Sequence, residues 1–325
     1  MGSQVKTLGV LTSGGDAPGM NAAIRAVVRT ALGAGINVKG IRRGYLGLME
    51  EDIIDMDSRS VSDIIQRGGT VLYTARLPEF SKSEVQDQGA EICRKHGIDG
   101  LVVIGGDGSF KGAAALAKRG INTVGLPGTI DLDIACTDYT IGFDTAVNTA
   151  MQTIDKVRDT STSHERCSII EVMGRNAGFI ALWSGIANGA EEILIVERYD
   201  YDEQRIINSI IEKRQKGKKH YIIINAEGVG DSNGMAKRIQ AATGMETRAT
   251  IIGHAQRGGS PTAIDRVYAS AMGCYAVDLL HNGASNRIVA YKEGKIVDFD
   301  IQEALAMTKD IDQFLYDASV RLSIR

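Results

Sequence analysis

Short, β-branched apolar runs alternate along this chain with longer stretches in which apolar residues recur at helical spacing. The short runs predict strands at 8–12, 38–41, 101–104, 123–126, 168–173, 193–196, 221–225, 250–252 and 287–291. Helical spacing is clearest over 20–32, 85–96, 112–118, 143–158, 204–215 and 263–281. Pro18 suits the first turn of the first helix, and Gly33 or Gly35 its stop. The segment Tyr291–Ile296 reads as a late β-hairpin. Strands separated by helices predict an α/β fold with mainly parallel sheets.

With 325 residues the chain has room for two domains or one large one, and no low-complexity linker marks a boundary. Hydrophobic and charged shares of 43% and 24% are those of a soluble globular protein. A net charge of −3 does not indicate a nucleic-acid surface, but it leaves room for a local basic pocket. No apolar stretch is long enough for a membrane helix, and residues 1–6 hold no signal-like apolar core, so a cytoplasmic, membrane-free protein is expected. Cys93, Cys136, Cys167 and Cys274 have no paired spacing, which predicts reduced thiols rather than a zinc or disulfide framework.

Candidate chemistry concentrates where apolar runs end in glycine and acid. Leu101–Ile104 runs into Gly105-Gly106-Asp107-Gly108-Ser109, and Val124–Leu126 into Gly128-Thr129-Ile130-Asp131-Leu132-Asp133. The strand ends of a parallel sheet are where ligands bind. Glycines admit phosphate oxygens to the main-chain amides, while carboxylates hold a metal or take a proton. Together these parts make up a phosphoryl-transfer site. Gly14-Gly15-Asp16 lies at a strand-to-helix junction, and a plain βα turn explains it as well. It is neither a Walker loop nor a dinucleotide fingerprint. Asp131 and Asp133, two apart, would share one side of an extended segment, or be two solvated loop acids. Taken singly, Arg76 reads as a solvated loop arginine, and the basic residues of the second half of the chain as surface charges.

These segments, with Leu11–Asn21 and Gly253–Pro261, resemble the bacterial ATP-dependent 6-phosphofructokinases in four long motifs, in order, over nearly the whole chain. The resemblance implies two three-layer α/β/α domains with mainly parallel sheets. Residues 1–142 with 256–306 would form the larger, ATP-binding domain, and 143–255 with 307–325 the smaller, sugar-phosphate domain. It implies ATP-dependent phosphorylation of fructose 6-phosphate at the 1-hydroxyl in glycolysis, with Mg²⁺ at Asp107. A pyrophosphate-dependent or other sugar-phosphate kinase, or a non-catalytic regulatory subunit, are the alternatives. ATP would contact Gly15, Arg76, Leu77, Gly106, Asp107, Gly108 and Ser109, and Arg76 would also stabilise the transferring group. Pyrophosphate users carry an acid in place of Gly108 and a lysine in place of Gly128, so two glycines here imply ATP.

Carried onto the sugar side, the resemblance makes Asp131 the general base beside Thr129 and Ile130, with Asp133 supporting charge and metal geometry. Leu132 stands where the family usually has asparagine. Arg166, Met173, Gly174, Arg175, Glu227, Arg248, His254, Ala255, Gln256 and Arg257 would bind the sugar phosphate. Arg166 and Arg248 would reach in from a neighbouring subunit of a homotetramer. Allosteric ADP or phosphoenolpyruvate would bind at Arg25, Arg29, Ser58, Arg59, Arg158, Gly189, Glu191, Lys216, Lys218, Lys219 and His220. Ser58 replaces a family arginine.

Overall fold

The computed structural model describes residues 5–198 and 202–323, so the reading of residues 1–4 lies outside it. In chain order the elements are β1 (Thr7–Thr12), α1 (Met20–Gly33), β2 (Asn37–Ile41), α2 (Gly44–Met49), β3 (Ile53–Met56), α3 (Ser83–Lys95), β4 (Gly100–Gly105), α4 (Asp107–Ala117), β5 (Asn122–Pro127), α5 (Phe143–His164) and β6 (Cys167–Val172). Then come α6 (Phe179–Ala187), β7 (Glu192–Leu194), α7 (Glu203–Gln215), β8 (Tyr221–Ala226), α8 (Ser232–Thr243), β9 (Thr247–Ile251), α9 (Ala263–His281), β10 (Arg287–Lys292), β11 (Lys295–Asp300), α10 (Ile301–Ala306) and α11 (Gln313–Leu322). The chain divides into two compact units, Met1–Thr145 with Arg257–Lys309 and Ala146–Gln256 with Asp310–Arg325.

The first unit is built on a seven-stranded sheet ordered β11-β10-β5-β4-β1-β2-β3, in which only β3 and β11 run antiparallel to their neighbours. Its central strands are buried along their length because helices cover both faces, and such strands carry apolar side chains at every position. On one face Leu101 and Val103 pack with Cys93 of α3 and Phe110 and Ala113 of α4. Helices α1 and α9 lie so close that a Cβ at Gly273 would come within 2.8 Å of the Ala26 Cβ, so only glycine allows that approach.

The second unit holds a four-stranded parallel sheet ordered β7-β8-β6-β9. Ile169, Ile223, Ile206, Ile210 and Ile239 form its core with Tyr221 and Met235. Among the described residues no helix is long and apolar enough to cross a membrane, and the four cysteines are free thiols.

Several boundaries differ from the sequence expectation. Helix α4 starts at Asp107, five residues before Gly112, because Asp107 sits favourably at the positive helix end and Phe110 packs into the core. Pro18 stands ahead of α1; Gly19, at φ 107°, turns the chain into the helix. Strand β9 starts at Thr247 and ends at Ile251, since an edge strand tolerates polar Arg248 within it. The apolar run at 193–196 leaves the sheet after Leu194. Helix α6, Phe179–Ala187, is apolar on all sides and so has no readable period.

One buried carboxylate joins α9 to the start of α5. Thr262 caps α9, and Asp265 in its first turn is fully buried. One Asp265 oxygen accepts from the Tyr139 hydroxyl at 2.5 Å and the Gly142 amide at 2.6 Å; the other accepts from the Thr145 amide at 2.9 Å and its hydroxyl. Burial pushes this carboxyl up, while the Thr145, Tyr139 and Gly142 donors pull it back. Asp265→Asn would turn an amide NH₂ against buried N–H donors and should cost about 2–4 kcal/mol. Thermal melting of wild type and variant checks this, and an unchanged apparent Tm would contradict it.

Candidate active site

From β1 the chain crosses to β2 on one side, and from β4 to β5 on the other, while β1 and β4 are neighbours. The loops leaving their carboxyl ends therefore diverge at a switch point, the place where an open α/β sheet leaves a crevice. Hydrogen bonds bind these loops into one assembly. The Ser13 amide donates to the Ile104 carbonyl at 3.0 Å, and the Gly128 amide to the Gly105 carbonyl at 3.0 Å. The Ser109 hydroxyl donates to the Ser13 carbonyl at 3.1 Å and the Thr74 hydroxyl to the Gly14 carbonyl at 2.8 Å. Only hydrogen fits on Gly105, where a Cβ would lie 2.5 Å from both Ser109 Oγ and Ser13 O.

Helix α4 begins at this edge. Gly106 is its N-cap, and a side chain at Gly106 or at Gly108 would meet nothing within 4 Å. The main chain at Gly106 and Gly108 is thus open to close approach at a helix N-terminus, which favours an anion, while the Ser109 amide donates to the Gly106 carbonyl at 2.9 Å. Asp107 is exposed at the first helical position, while Ser109 is buried against the β1 loop. Arg76 is exposed and Leu77 half-buried in the loop that Thr74 fastens to Gly14. Arg257, grouped from sequence with the sugar-phosphate residues, lies over the glycine loop: its Nη1 donates to the Asp16 carbonyl at 2.9 Å, and a Cβ at Gly15 would come within 2.7 Å of it. Gly128 differs from Gly108. A Cβ there would press on Ile104 and Met20 at 3.0 Å, so a larger residue needs the core to yield.

After β5 the chain bends, and the Asp131 amide donates to the Thr129 hydroxyl at 3.2 Å. Asp131 is buried, at 7% exposure, and Asp133 is exposed. The extended segment that would have put both carboxylates on one side is absent, because Leu132 between them adopts φ 57° and breaks the alternation. Leu132 itself is buried. Its carbonyl accepts from Lys309 Nζ at 2.9 Å, and the same ammonium donates to the Thr137 carbonyl at 2.7 Å. Burial pushes Lys309 down to about 8, against the pull of Asp138 and Asp133.

Within the second unit, Gly174 (φ 145°) and Arg175 (φ 56°) form a turn held by Glu227, whose carboxylate accepts from the Arg175 amide at 2.6 Å. Gln256 is buried and accepts from the Met173 amide at 2.8 Å, so it braces that turn from below, while His254 and Ala255 beside it are exposed. Arg166 and Arg248 converge on one carboxylate, Glu246, at 2.8 Å each.

Of the residues assigned to an effector, the second unit brings together Arg158, Gly189, Glu191, Lys218 and His220. Arg158 donates to the Asn188 and Gly189 carbonyls, Lys218 pairs with Glu191, and burial pushes His220 down with Glu191 opposing. Lys216 and Lys219 instead pair with Glu212 and Glu165 on the surface. Arg25, Arg29, Ser58 and Arg59 belong to the first unit, where Ser58 and Arg59 lie on an exposed turn capped by Asp57.

Asp265 and Lys309 did not figure in the sequence reading. The Thr262-x-x-Asp265 spacing was a usable signal, being that of a capped helix start. No pattern singles out Lys309.

A metal fits this site in one particular way. Among the described residues no three His, Cys, Asp or Glu side chains cluster as a metal cage. Asp107 offers a single exposed carboxylate beside the open Gly106 and Gly108 positions, which suits a hard cation that keeps its waters and shares substrate phosphates.

Known proteins match over most of the chain. A family profile described as Phosphofructokinase matches residues 7–280. An ATP-dependent 6-phosphofructokinase of Clostridium acetobutylicum is 60% identical over 319 residues, 98% of this chain and 100% of the relative. One from Clostridium botulinum is 59% identical over the same 98% and 100%. The phosphofructokinase structure from Saccharomyces cerevisiae superposes with a TM-score of 0.86 at 34% identity; it covers 98% of this chain, which spans 48% of the yeast chain. A pyrophosphate-dependent phosphofructokinase from Marinobacter aquaeolei shares the fold, with a TM-score of 0.85 at 22% identity over 98% of this chain and 92% of that one. With the family profile matched over residues 7–280 and relatives 59–60% identical over 98% of its length, the chain belongs to the phosphofructokinase family.

Proposed function

We propose that this protein is an ATP-dependent 6-phosphofructokinase, transferring the γ-phosphoryl group of ATP to the 1-hydroxyl of fructose 6-phosphate. The observation that carries the assignment is the 59–60% identity, over 98% of this chain and 100% of each relative, to proteins named for that activity. The products are ADP and fructose 1,6-bisphosphate, and the reaction commits sugar to glycolysis.

In this reading the ATP phosphates lie against the open Gly106–Gly108 turn at the start of α4, with Ser109, Gly15, Arg76 and Leu77 completing the nucleotide contacts. Arg76, exposed on its tethered loop, adds positive charge where the transferring group gathers negative charge. Mg²⁺ held by Asp107 would neutralise phosphate charge. Asp131 takes the proton of the 1-hydroxyl as its oxygen bonds to phosphorus and the bond to ADP breaks. Thr129, bonded to the Asp131 amide, fixes the loop that carries the base, with Ile130 between them. The sugar phosphate is bound by Arg166, Met173, Gly174, Arg175, Glu227, Arg248, His254, Ala255, Gln256 and Arg257. Guanidinium forks suit its phosphate. ATP is preferred over pyrophosphate because Gly108 leaves nucleotide space open and Gly128 carries no lysine such as pyrophosphate users have there.

We extend the reading to a homotetramer, since Arg248 is a largely exposed side chain on an edge strand that the family directs to a neighbouring subunit. The grouping of Arg158, Glu191, Lys218 and His220 supports an ADP or phosphoenolpyruvate site. Ser58 lacks the charged contact of an arginine there, so effector control is expected to be weaker than in relatives that keep it.

A coupled assay with ATP or pyrophosphate, offered with several sugar phosphates, tests the assignment. ATP with fructose 6-phosphate should give by far the highest kcat/KM; comparable use of pyrophosphate would contradict it. Sugar saturation curves that ADP and phosphoenolpyruvate leave unmoved would remove the effector site.

Asp131→Asn keeps the shape of the side chain and loses its basicity. It should lower kcat by about 10²–10⁴-fold with little change in the KM for fructose 6-phosphate. A kcat within about threefold of wild type, outside the range of general-base loss, would take Asp131 out of that role.

A further inference from the structure

We infer that Lys309 is a positioning residue for catalysis: its ammonium holds the left-handed Leu132 turn and thereby aims the Asp131 carboxylate. The inference rests on the reading of Asp131 as the general base.

Three observations converge on it. Among the described non-glycine residues with positive φ, Leu132 is the only one with an aliphatic side chain; the others are Arg, Glu, Asp, Tyr or Asn. Leucine gains no local hydrogen bond from its side chain in that conformation, so something else must hold it there. Next, Lys309 Nζ bonds the Leu132 carbonyl at 2.9 Å, one residue past Asp131 and at the strained position itself. Finally, a second acceptor of Lys309 is a fixed point. The Thr137 carbonyl, at 2.7 Å, belongs to a residue fastened to the end of β10: the Tyr291 amide donates to the Thr137 hydroxyl at 2.9 Å, and the Asp138 amide to the Tyr291 carbonyl at 2.8 Å. Lys309 therefore ties a strained turn to an anchored strand.

The charge of the lysine matters as well as its reach. Asp133 and Asp138 face it from the same segment, with Cys136 beside them and Lys292 of β10 opposing. A cation between two main-chain carbonyls and two acids is held in place more firmly than a neutral donor of equal length. A loop position that drifts by a fraction of an ångström is enough to spoil proton transfer, so the clamp acts on rate through Asp131 without touching substrate.

The test is a double-mutant cycle between Lys309→Met and Leu132→Gly. Glycine adopts φ 57° without strain, so the clamp should matter less in its presence. Lys309→Met alone should lower kcat by about 10- to 100-fold and leave the KM for ATP within about threefold. In the Leu132→Gly background the same change should cost less than about threefold. Lys309→Arg, which keeps a cationic donor, should recover most of the lost rate, and it also serves if the methionine variant folds poorly.

Amide hydrogen exchange over residues 129–137 is read in parallel and should quicken in Lys309→Met but not in Lys309→Arg. Equal losses of kcat in both Leu132 backgrounds, or unchanged exchange over 129–137, would overturn the inference. Should the wild-type protein fail to turn over ATP and fructose 6-phosphate, the functional reading falls, and the exchange data still decide whether Lys309 holds the turn.

Discussion

Two main-chain hydrogen bonds, Ser13 to Ile104 and Gly128 to Gly105, hold the carboxyl ends of β1, β4 and β5 at one level. The candidate nucleotide site follows from that alignment. If β4 slipped by one residue against β1, every apolar side chain of Leu101–Ile104 would change face, and the glycine loop would move away from the Ser13 carbonyl. The register is over-determined: buried residues fill both faces of the sheet, Ser109 reaches back to Ser13, and a Cβ at Gly105 would clash with both. The Gly106 and Gly108 positions at the start of α4 are left open by this packing.

How much of this is legible in the sequence depends on whether a feature is local. The strands of the central sheet are, because a strand buried on both faces is a continuous apolar run bounded by glycine. So is the placing of Asp107 and its flanking glycines at a strand end, since an acid between glycines there has little packing reason to exist. The start of α4 is less legible. Gly108 in its first turn and Gly112 in its second argue against helix, and only the core position of Phe110 and the acid at the dipole end outweigh them.

Features that depend on distant partners do not show in the sequence. Asp265 lies 120 residues from the Thr145 it binds, and Lys309 lies 177 residues from Leu132. Neither has a local pattern to mark its role, beyond the capped helix start at Thr262. Leu132 illustrates the limit differently. As a departure from the family asparagine it is visible at once, but how it is accommodated, by a left-handed backbone and a lysine from the end of the unit, requires the fold.

Arg257 and Gln256 carry a similar lesson. They are adjacent in sequence, yet Arg257 covers the glycine loop after β1 while Gln256 is buried under the Met173 turn. A single motif thus serves two compact units, and one residue type at one site says little until its neighbours in space are known.

In the proposed reading the open start of α4 and the buried Asp131 form one phosphoryl-transfer centre. A crystal structure with ADP, Mg²⁺ and fructose 1,6-bisphosphate tests this. Diphosphate oxygens should lie about 3 Å from main-chain amides of the Gly106–Gly108 turn, and Asp131 should be the protein carboxylate nearest the 1-oxygen of the sugar. A diphosphate bound away from α4, or an Asp131 carboxylate turned from that oxygen, would contradict it.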